Sequence, residues 1–536
     1  MAPIVGPHTI GAVPARRSTA DLAAPRPRRH RVVVLAVSSL ALAVLGAGCA
    51  TGSTDARVSL VRTETLDGPA PDGSDDGETN DGGTAISWES CGDRLDCATL
   101  AVPLNRDEPD GDQFELRLVR HRASRSGERI GSLLVNPGGP GSDGTWLAEQ
   151  AELLFGDRLL DRFDIVAWDP RGTGRSTPFV DCVDSYDPYF AHDMSPDSPE
   201  DEQVADEAIT AFAEACSART GNDVLAHIST AESAADMDAI RRALGEDTIS
   251  YFGFSYGSEL GATWATLFPD TVRAAVLDGA ADPTASDVES TLQQAAGFEA
   301  ALDRFLAECA SDRGCPFNNR GDPQAAFDEL MAELDESPLE VEPDRAPVNQ
   351  TVALTAVANA MYNDVLWPEL AQALTDAQAG DGTGLLAGFD DYYQRRSDGT
   401  YDNLLEAFNA ITCLDADPDP STESDEQIVE QIQQAAPRLW PVFAGESVCS
   451  AWPVEPAGRV AVTGAGAGPI VVVGTTGDPA TPLESSRAMA EALEQGVFVI
   501  VEADQHTGYN VNECVNDAIE DYLVDLVVPE DGLVCS

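Results

Sequence analysis

Ile249-Ser250-Tyr251-Phe252-Gly253-Phe254-Ser255-Tyr256-Gly257 decides how the rest of the chain is read. The apolar run Ile249 to Phe252 leads into Gly253-Phe254-Ser255-Tyr256-Gly257, and a helix-like segment rich in Leu, Ala and Trp follows. The order is strand, sharp turn, helix. In a G-x-S-x-G elbow the serine sits on a strained turn where only small flanking residues fit, so its hydroxyl stands clear of the sheet edge. Alone, the pentapeptide is a weak signal, because a chain with 45 glycines produces such matches by chance. The surrounding sequence has to supply the rest.

Outward from the elbow, buried-strand signals alternate with helix-like stretches, the pattern of an α/β fold with a mostly parallel sheet flanked by helices. Strands are expected at Ser132 to Asn136, Asp164 to Trp168, Ile249 to Phe252, Ala274 to Leu277, Ile470 to Val473 and Val497 to Val501. The stretch Ala98 to Val119 largely alternates apolar and polar residues, as in a hairpin turning at Pro109-Asp110-Gly111. Between Asp282 and about Gly458 strand signals lapse and helical periodicity appears, as in Leu292 to Ala307 and Ala326 to Leu334. One sheet interrupted by an inserted helical cap is the economical reading. It divides the chain into a signal segment 1–48, a linker 49–86, a first core part 87–283, the insertion 284–458 and a last core part 459–536.

The amino terminus reads as an export signal: Arg26, Arg28, Arg29 and Arg31 precede the apolar run Val32 to Leu45, too short for a permanent membrane helix. Gly46-Ala47-Gly48-Cys49 then resembles a bacterial lipoprotein site, with Cys49 as the lipidation candidate. Gly46 departs from the branched residue usual there, so plain secretion fits as well. Ala50 to about Ile86 is rich in Gly, Asp, Ser and Thr and cannot bury a core. Without Cys49, ten of the eleven cysteines remain, with no zinc spacing among them. Sequence neighbours suggest Cys91 with Cys97, Cys182 with Cys216, Cys309 with Cys315, Cys413 with Cys449 and Cys514 with Cys535. The formal charge of −60, with 32 basic residues that are all arginine, makes an acidic field that repels nucleic acid and anionic membranes. Lipidated Cys49 would be the one route to a membrane.

Three further motifs suit acyl transfer. Asn136-Pro137-Gly138-Gly139-Pro140-Gly141 follows the first buried strand, and its glycines let backbone amides approach a ligand closely. The amides of Gly139 and Tyr256 are the expected oxyanion-hole donors. No Lys-Ser or Lys-Thr follows that turn, and its spacing is not a dinucleotide fingerprint. Of the six histidines, His8 and His30 go with the signal, and His121, His192 and His227 lie away from late strands. His506 stands just beyond one, in Asp504-Gln505-His506-Thr507-Gly508. The acid should lie on the turn after the preceding strand, where Gly477-Asp478-Pro479-Ala480-Thr481-Pro482 offers Asp478, with Glu484 and Asp504 as competitors. Most single carboxylates are solvated surface groups, so Asp478 is selected by its turn, strand and chain order. Within Asp169-Pro170-Arg171-Gly172-Thr173-Gly174-Arg175-Ser176, Arg171 is expected to anchor a loop by ion pairing. Asp236, Asp238, Arg241 and Arg242 have the spacing of charge pairs on one helix face.

Together these residues resemble the tripeptidyl aminopeptidase family of secreted bacterial serine exopeptidases, relatives of the prolyl aminopeptidases in the α/β-hydrolase superfamily. The resemblance runs from Trp88 and Cys91 through Val102-Pro103-Leu104, the Asn136 turn, Asp169 to Ser176, the elbow, Phe268-Pro269 and Leu277-Asp278-Gly279. It continues through Cys449 with Trp452-Pro453 and Gly477 to Pro482, ending at His506. It implies an α/β-hydrolase fold, with Ser255 as nucleophile, Asp478 as acid and His506 as base. Phe254 and Gln505 depart from the smaller residue and the glycine common at their positions, which leaves the triad intact and alters the pocket. The implied substrates are peptides with free amino termini, and an acidic cap is suited to their α-ammonium group. No cofactor or metal motif is present. An esterase or lipase would use the same triad, although the insertion is polar rather than an apolar lid. A non-catalytic binding protein on the same scaffold would have no reason to keep every part.

Overall fold

A computed structural model describes residues 85–192, 198–418, 423–443 and 448–536. The arginine-rich segment, Cys49 and the linker through residue 84 lie outside the described residues. Ten strands form one sheet: β1 (Glu89–Gly92), β2 (Leu95–Pro103), β3 (Gln113–His121), β4 (Gly131–Asn136), β5 (Phe163–Trp168), β6 (Ile249–Phe254), β7 (Val272–Asp278), β8 (Ile470–Thr475), β9 (Gly496–Val501) and β10 (Leu533–Cys535). Their order is β1-β2-β3-β5-β4-β6-β7-β8-β9-β10. The pairs β1/β2, β2/β3 and β3/β5 are antiparallel, and all later pairs are parallel. The six strands read from sequence are all present: β4, β5 and β9 each gain one residue at the start, β6 and β8 gain two at the end, and β7 extends at both ends.

Strands β4, β5, β6 and β8 are buried on both faces because helices cover the sheet on either side, which is why they read as continuous apolar runs. Alternate residues serve opposite layers. Leu134, Val166, Tyr251, Leu277 and Val472 pack into one cluster. Leu133, Val135, Ile165, Phe252, Val276 and Val473 pack into the other. The chain runs from β4 outward to β5, then returns past β4 to β6, so the sheet reverses direction between β4 and β6. In open parallel sheets that reversal opens a crevice at the carboxyl ends of the strands. The Asn136 turn and the serine elbow both leave the sheet there.

Between β7 and β8 the described chain forms helices, including Asp287–Ser311, Pro323–Glu336, Gln350–Met361, Trp367–Gln378, Thr383–Tyr392 and Leu404–Asp415. They share an apolar cluster of their own, which includes Phe305, Phe327, Val352, Leu374 and Phe389. Tyr186 and Phe190, from the chain between β5 and β6, join it. Among the described residues five disulfides are formed, and they are the five neighbouring pairs expected from the sequence.

Candidate active site

Ser255 follows β6 directly and caps the helix Tyr256–Leu267. Its backbone lies at φ 56° and ψ −127°, a conformation that non-glycine residues rarely adopt. Two features hold the turn in that state. The Ser255 amide donates to the Asp278 carbonyl at the end of β7 (2.8 Å), and the Tyr251 hydroxyl donates to the Gly257 carbonyl (2.7 Å).

The glycine turn after β4 lies against this elbow. Gly138 has φ +100°, and a Cβ there would sit 2.6 Å from the Phe254 carbonyl oxygen and 3.0 Å from the Tyr256 amide nitrogen. Only glycine permits that approach. The Asn136 side chain orders the turn by accepting the Gly138 amide (3.0 Å). The turn carrying the Gly139 amide thus abuts the elbow carrying the Tyr256 amide, at the amino end of a helix where the peptide dipoles favour negative charge.

Asp478 and His506 stand on the turns after β8 and β9. The Asp478 carboxylate accepts the amides of Ala480 (2.9 Å) and Thr481 (2.8 Å) and the Thr481 hydroxyl (3.0 Å). Its two oxygens lie 2.8 and 2.9 Å from His506 Nδ1. A carboxylate can only accept, so Nδ1 carries the proton and Nε2 is left as the basic nitrogen. Nε2 is buried and makes no hydrogen bond among the described residues. Burial pulls the His506 imidazolium down, but the Asp478 charge and hydrogen bond, with a further contribution from Asp278, outweigh it and leave the pKa above the ordinary value of 6.5. The ring also abuts Gly279, next to the residue whose carbonyl holds Ser255.

Two neighbours of this pair carried no signal in the sequence. Thr481 supports Asp478 and lies 3.4 Å from His506 Nδ1 through its hydroxyl. Tyr362, from the helical segment, accepts the His506 amide on its carbonyl (2.8 Å) and sets its ring edge-on to the imidazole. The remaining candidates sort clearly. Glu484 pairs with Arg487, and Asp504 pairs with Arg304 (2.7 Å), so neither competes for His506. His121 is buried on β3 with its pKa lowered by burial, and the carbonyls of His192 and His227 serve as acceptors for Asn349 and Arg171. Arg171 is fully buried and binds Asp236 through two nitrogens, each at 2.7 Å, so it anchors its loop as expected. The helix-face reading holds for Asp238 with Arg241 and Arg242, but fails for Asp236, whose partners are Arg171 and Arg106. Among the described residues no group of three or more His, Cys, Asp or Glu is arranged to hold a metal ion.

A family model described as TAP-like protein matches residues 438–535, the stretch that contains Asp478 and His506. Serine protease Hip1 of Mycobacterium tuberculosis is 36% identical over 461 residues, covering 82% of this chain and 87% of that protein. Carboxylesterase B of the same organism is 37% identical over 84% of this chain and 90% of its own length. Tripeptidyl aminopeptidase of Streptomyces lividans is 30% identical over 82% of this chain and 84% of its own. Likeness of this extent joins the serine elbow, the interrupted sheet and the carboxyl-terminal stretch in one inheritance: the chain belongs to the tripeptidyl aminopeptidase-like family of serine peptidases and related hydrolases, within the α/β-hydrolase superfamily.

Proposed function

We propose that this protein is a serine aminopeptidase that releases short peptides, tripeptides foremost, from free amino termini by way of an acyl-enzyme. Ser255 is the nucleophile, His506 the base and Asp478 its partner, with the amides of Gly139 and Tyr256 as oxyanion donors. His506 Nε2 takes the Ser255 proton as Oγ attacks the scissile carbonyl, and the carbonyl oxygen gains negative charge facing the two amides. The imidazolium, stabilised by Asp478, then protonates the leaving amine as the C–N bond breaks. Water, deprotonated by the same nitrogen, attacks the ester and frees the short peptide and the serine. The observation that carries this reading is the His506 ring: Nδ1 is bonded to a buried carboxylate, Nε2 is left free, and the ring packs beside the residues that hold Ser255.

The helices between β7 and β8 act as a cap that limits access from one side, which suits a substrate entering by its end. The disulfides fit an oxidising compartment outside the cytoplasm, and on this reading the chain is either anchored there through Cys49 or released. A carboxylic-ester hydrolase is the second reading, favoured by the relative named carboxylesterase B. The two separate in one assay of unblocked tripeptidyl anilides, their N-blocked counterparts and a short-chain nitrophenyl ester, with Ser255→Ala alongside. Hydrolysis of the unblocked anilides alone, lost in the variant, supports the aminopeptidase. Turnover of the ester only supports the esterase, and activity surviving in Ser255→Ala overturns both.

A further inference from the structure

The Leu277-Asp278-Gly279 segment ends β7 beside the elbow, and nothing in the mechanism above uses its carboxylate. Asp278 is fully buried, yet among the described residues no arginine neutralises it. Its Oδ1 accepts the amide of Gly508 (2.7 Å) and its Oδ2 the amide of Tyr509 (2.8 Å), two and three residues after His506. Its own carbonyl accepts the Ser255 amide (2.8 Å). One residue therefore grips the nucleophile turn through its backbone and the base turn through its side chain. The next residue, Gly279, has φ +69°, and a Cβ there would lie 3.0 Å from His506 Cε1. A buried carboxylate that only needed a partner would be more stable beside a guanidinium; this one is held by two amides of the base turn, close enough to the imidazole for its ionised form to act on it.

We propose that Asp278 is a positioning residue and second counter-ion for His506, fixing the base turn relative to Ser255 and adding to the field that stabilises the imidazolium. The proposal rests on the Ser255–His506–Asp478 reading. The charged groups facing this carboxylate are His506 and Asp478, from the turns after β9 and β8. His506 in turn faces Asp478, Asp278, the Thr481 hydroxyl and the Tyr362 ring. Burial, opposed by the two amides and His506, pushes Asp278 up to about 6. Both charges consequently change in the pH range where the base titrates, and the site responds to pH as a coupled pair.

The test is Asp278→Asn and Asp278→Glu, read by kcat, KM and the acid limb of the kcat/KM profile on whichever substrate the wild type turns over. NMR titration of the His506 imidazole in a Ser255→Ala background accompanies them. Asparagine can accept only one of the two amides and carries no charge. The expected result is a kcat reduced about 10- to 100-fold with KM changed less than threefold, and a His506 pKa and acid limb lowered by about one unit. Asp278→Glu, which keeps the charge and lengthens the arm, should hold the acid limb near its wild-type position while kcat falls. If Asp278→Asn does not fold, Asp278→Glu decides: an acid limb displaced downward in that variant overturns the proposal. A loss of kcat in Asp278→Asn with the His506 titration unmoved reduces Asp278 to a fold-stabilising residue and overturns it too. Loss of the triad reading itself would appear separately, as activity persisting in Ser255→Ala alone.

Discussion

At the scale of the residue, the proposed chemistry concentrates on His506. Its folded pKa is held above 6.5, and the base must be neutral to accept the Ser255 proton. Activity should therefore fall as pH is lowered through a value above 6.5, a direction that a kcat/KM profile reads directly. Asp478→Asn removes the charge that raises this pKa and leaves the ring's tautomer unspecified. We expect kcat to fall about 10³- to 10⁴-fold and the acid limb to move down; a profile that stays in place would remove Asp478 from the triad. The pairing of Asp478 with His506 was legible in the sequence because strand, turn and chain order bring the two turns together. Asp278 and Thr481 were not, for a physical reason. The partners of Asp278 are backbone amides on a turn some 230 residues away, which leaves no spacing in the chain, and Thr481 binds Asp478 within one turn through a hydroxyl that no motif singles out. Asp236 misled for the same reason, since its arginine partner Arg171 lies on another loop rather than one helical turn away.

At the scale of the element, sequence patterning found the strands buried on both faces, which read as mainly apolar runs, and the alternating pair β2 and β3. The two it missed are edge strands: β1 is exposed throughout, and β10 is a three-residue segment with only Cys535 buried. Among the helices, Leu404–Asp415 carries a testable electrostatic cost. Glu406 is buried on it, hydrogen-bonded by the Tyr186 hydroxyl, and burial raises its pKa to about 7 from 4.5. A carboxyl raised in the folded state contributes stability that is present in full below the unfolded value and is lost as pH rises through the folded value. The difference amounts to on the order of 3 kcal/mol for this group. Melting temperature should fall between pH 5 and pH 8, and Glu406→Gln should flatten that slope. An equal slope in wild type and variant would mean that Glu406 is ionised in the folded protein across the whole range.

At the scale of the whole molecule, the disulfides bind local segments, and Cys413–Cys449 closes the longest loop of the five, with a separation of 36 residues. It joins the helix Leu404–Asp415 to the turn Val448–Ala451. Replacing both cysteines by alanine should cost about 4 kcal/mol on loop-closure grounds, visible as a lower denaturation midpoint. A change under 1 kcal/mol would mean that packing alone holds that helix. The interrupted sheet has a consequence for timing. Strand β8 must pair with β7 across the entire chain from Asp278 to Ile470, and Asp478 and His506 arrive only behind it. Such distant pairing closes late. A chain threaded from its amino end presents its elbow serine well before the groups that arm it. On the proposed triad, the folding polypeptide gains hydrolytic competence only when its final strands dock.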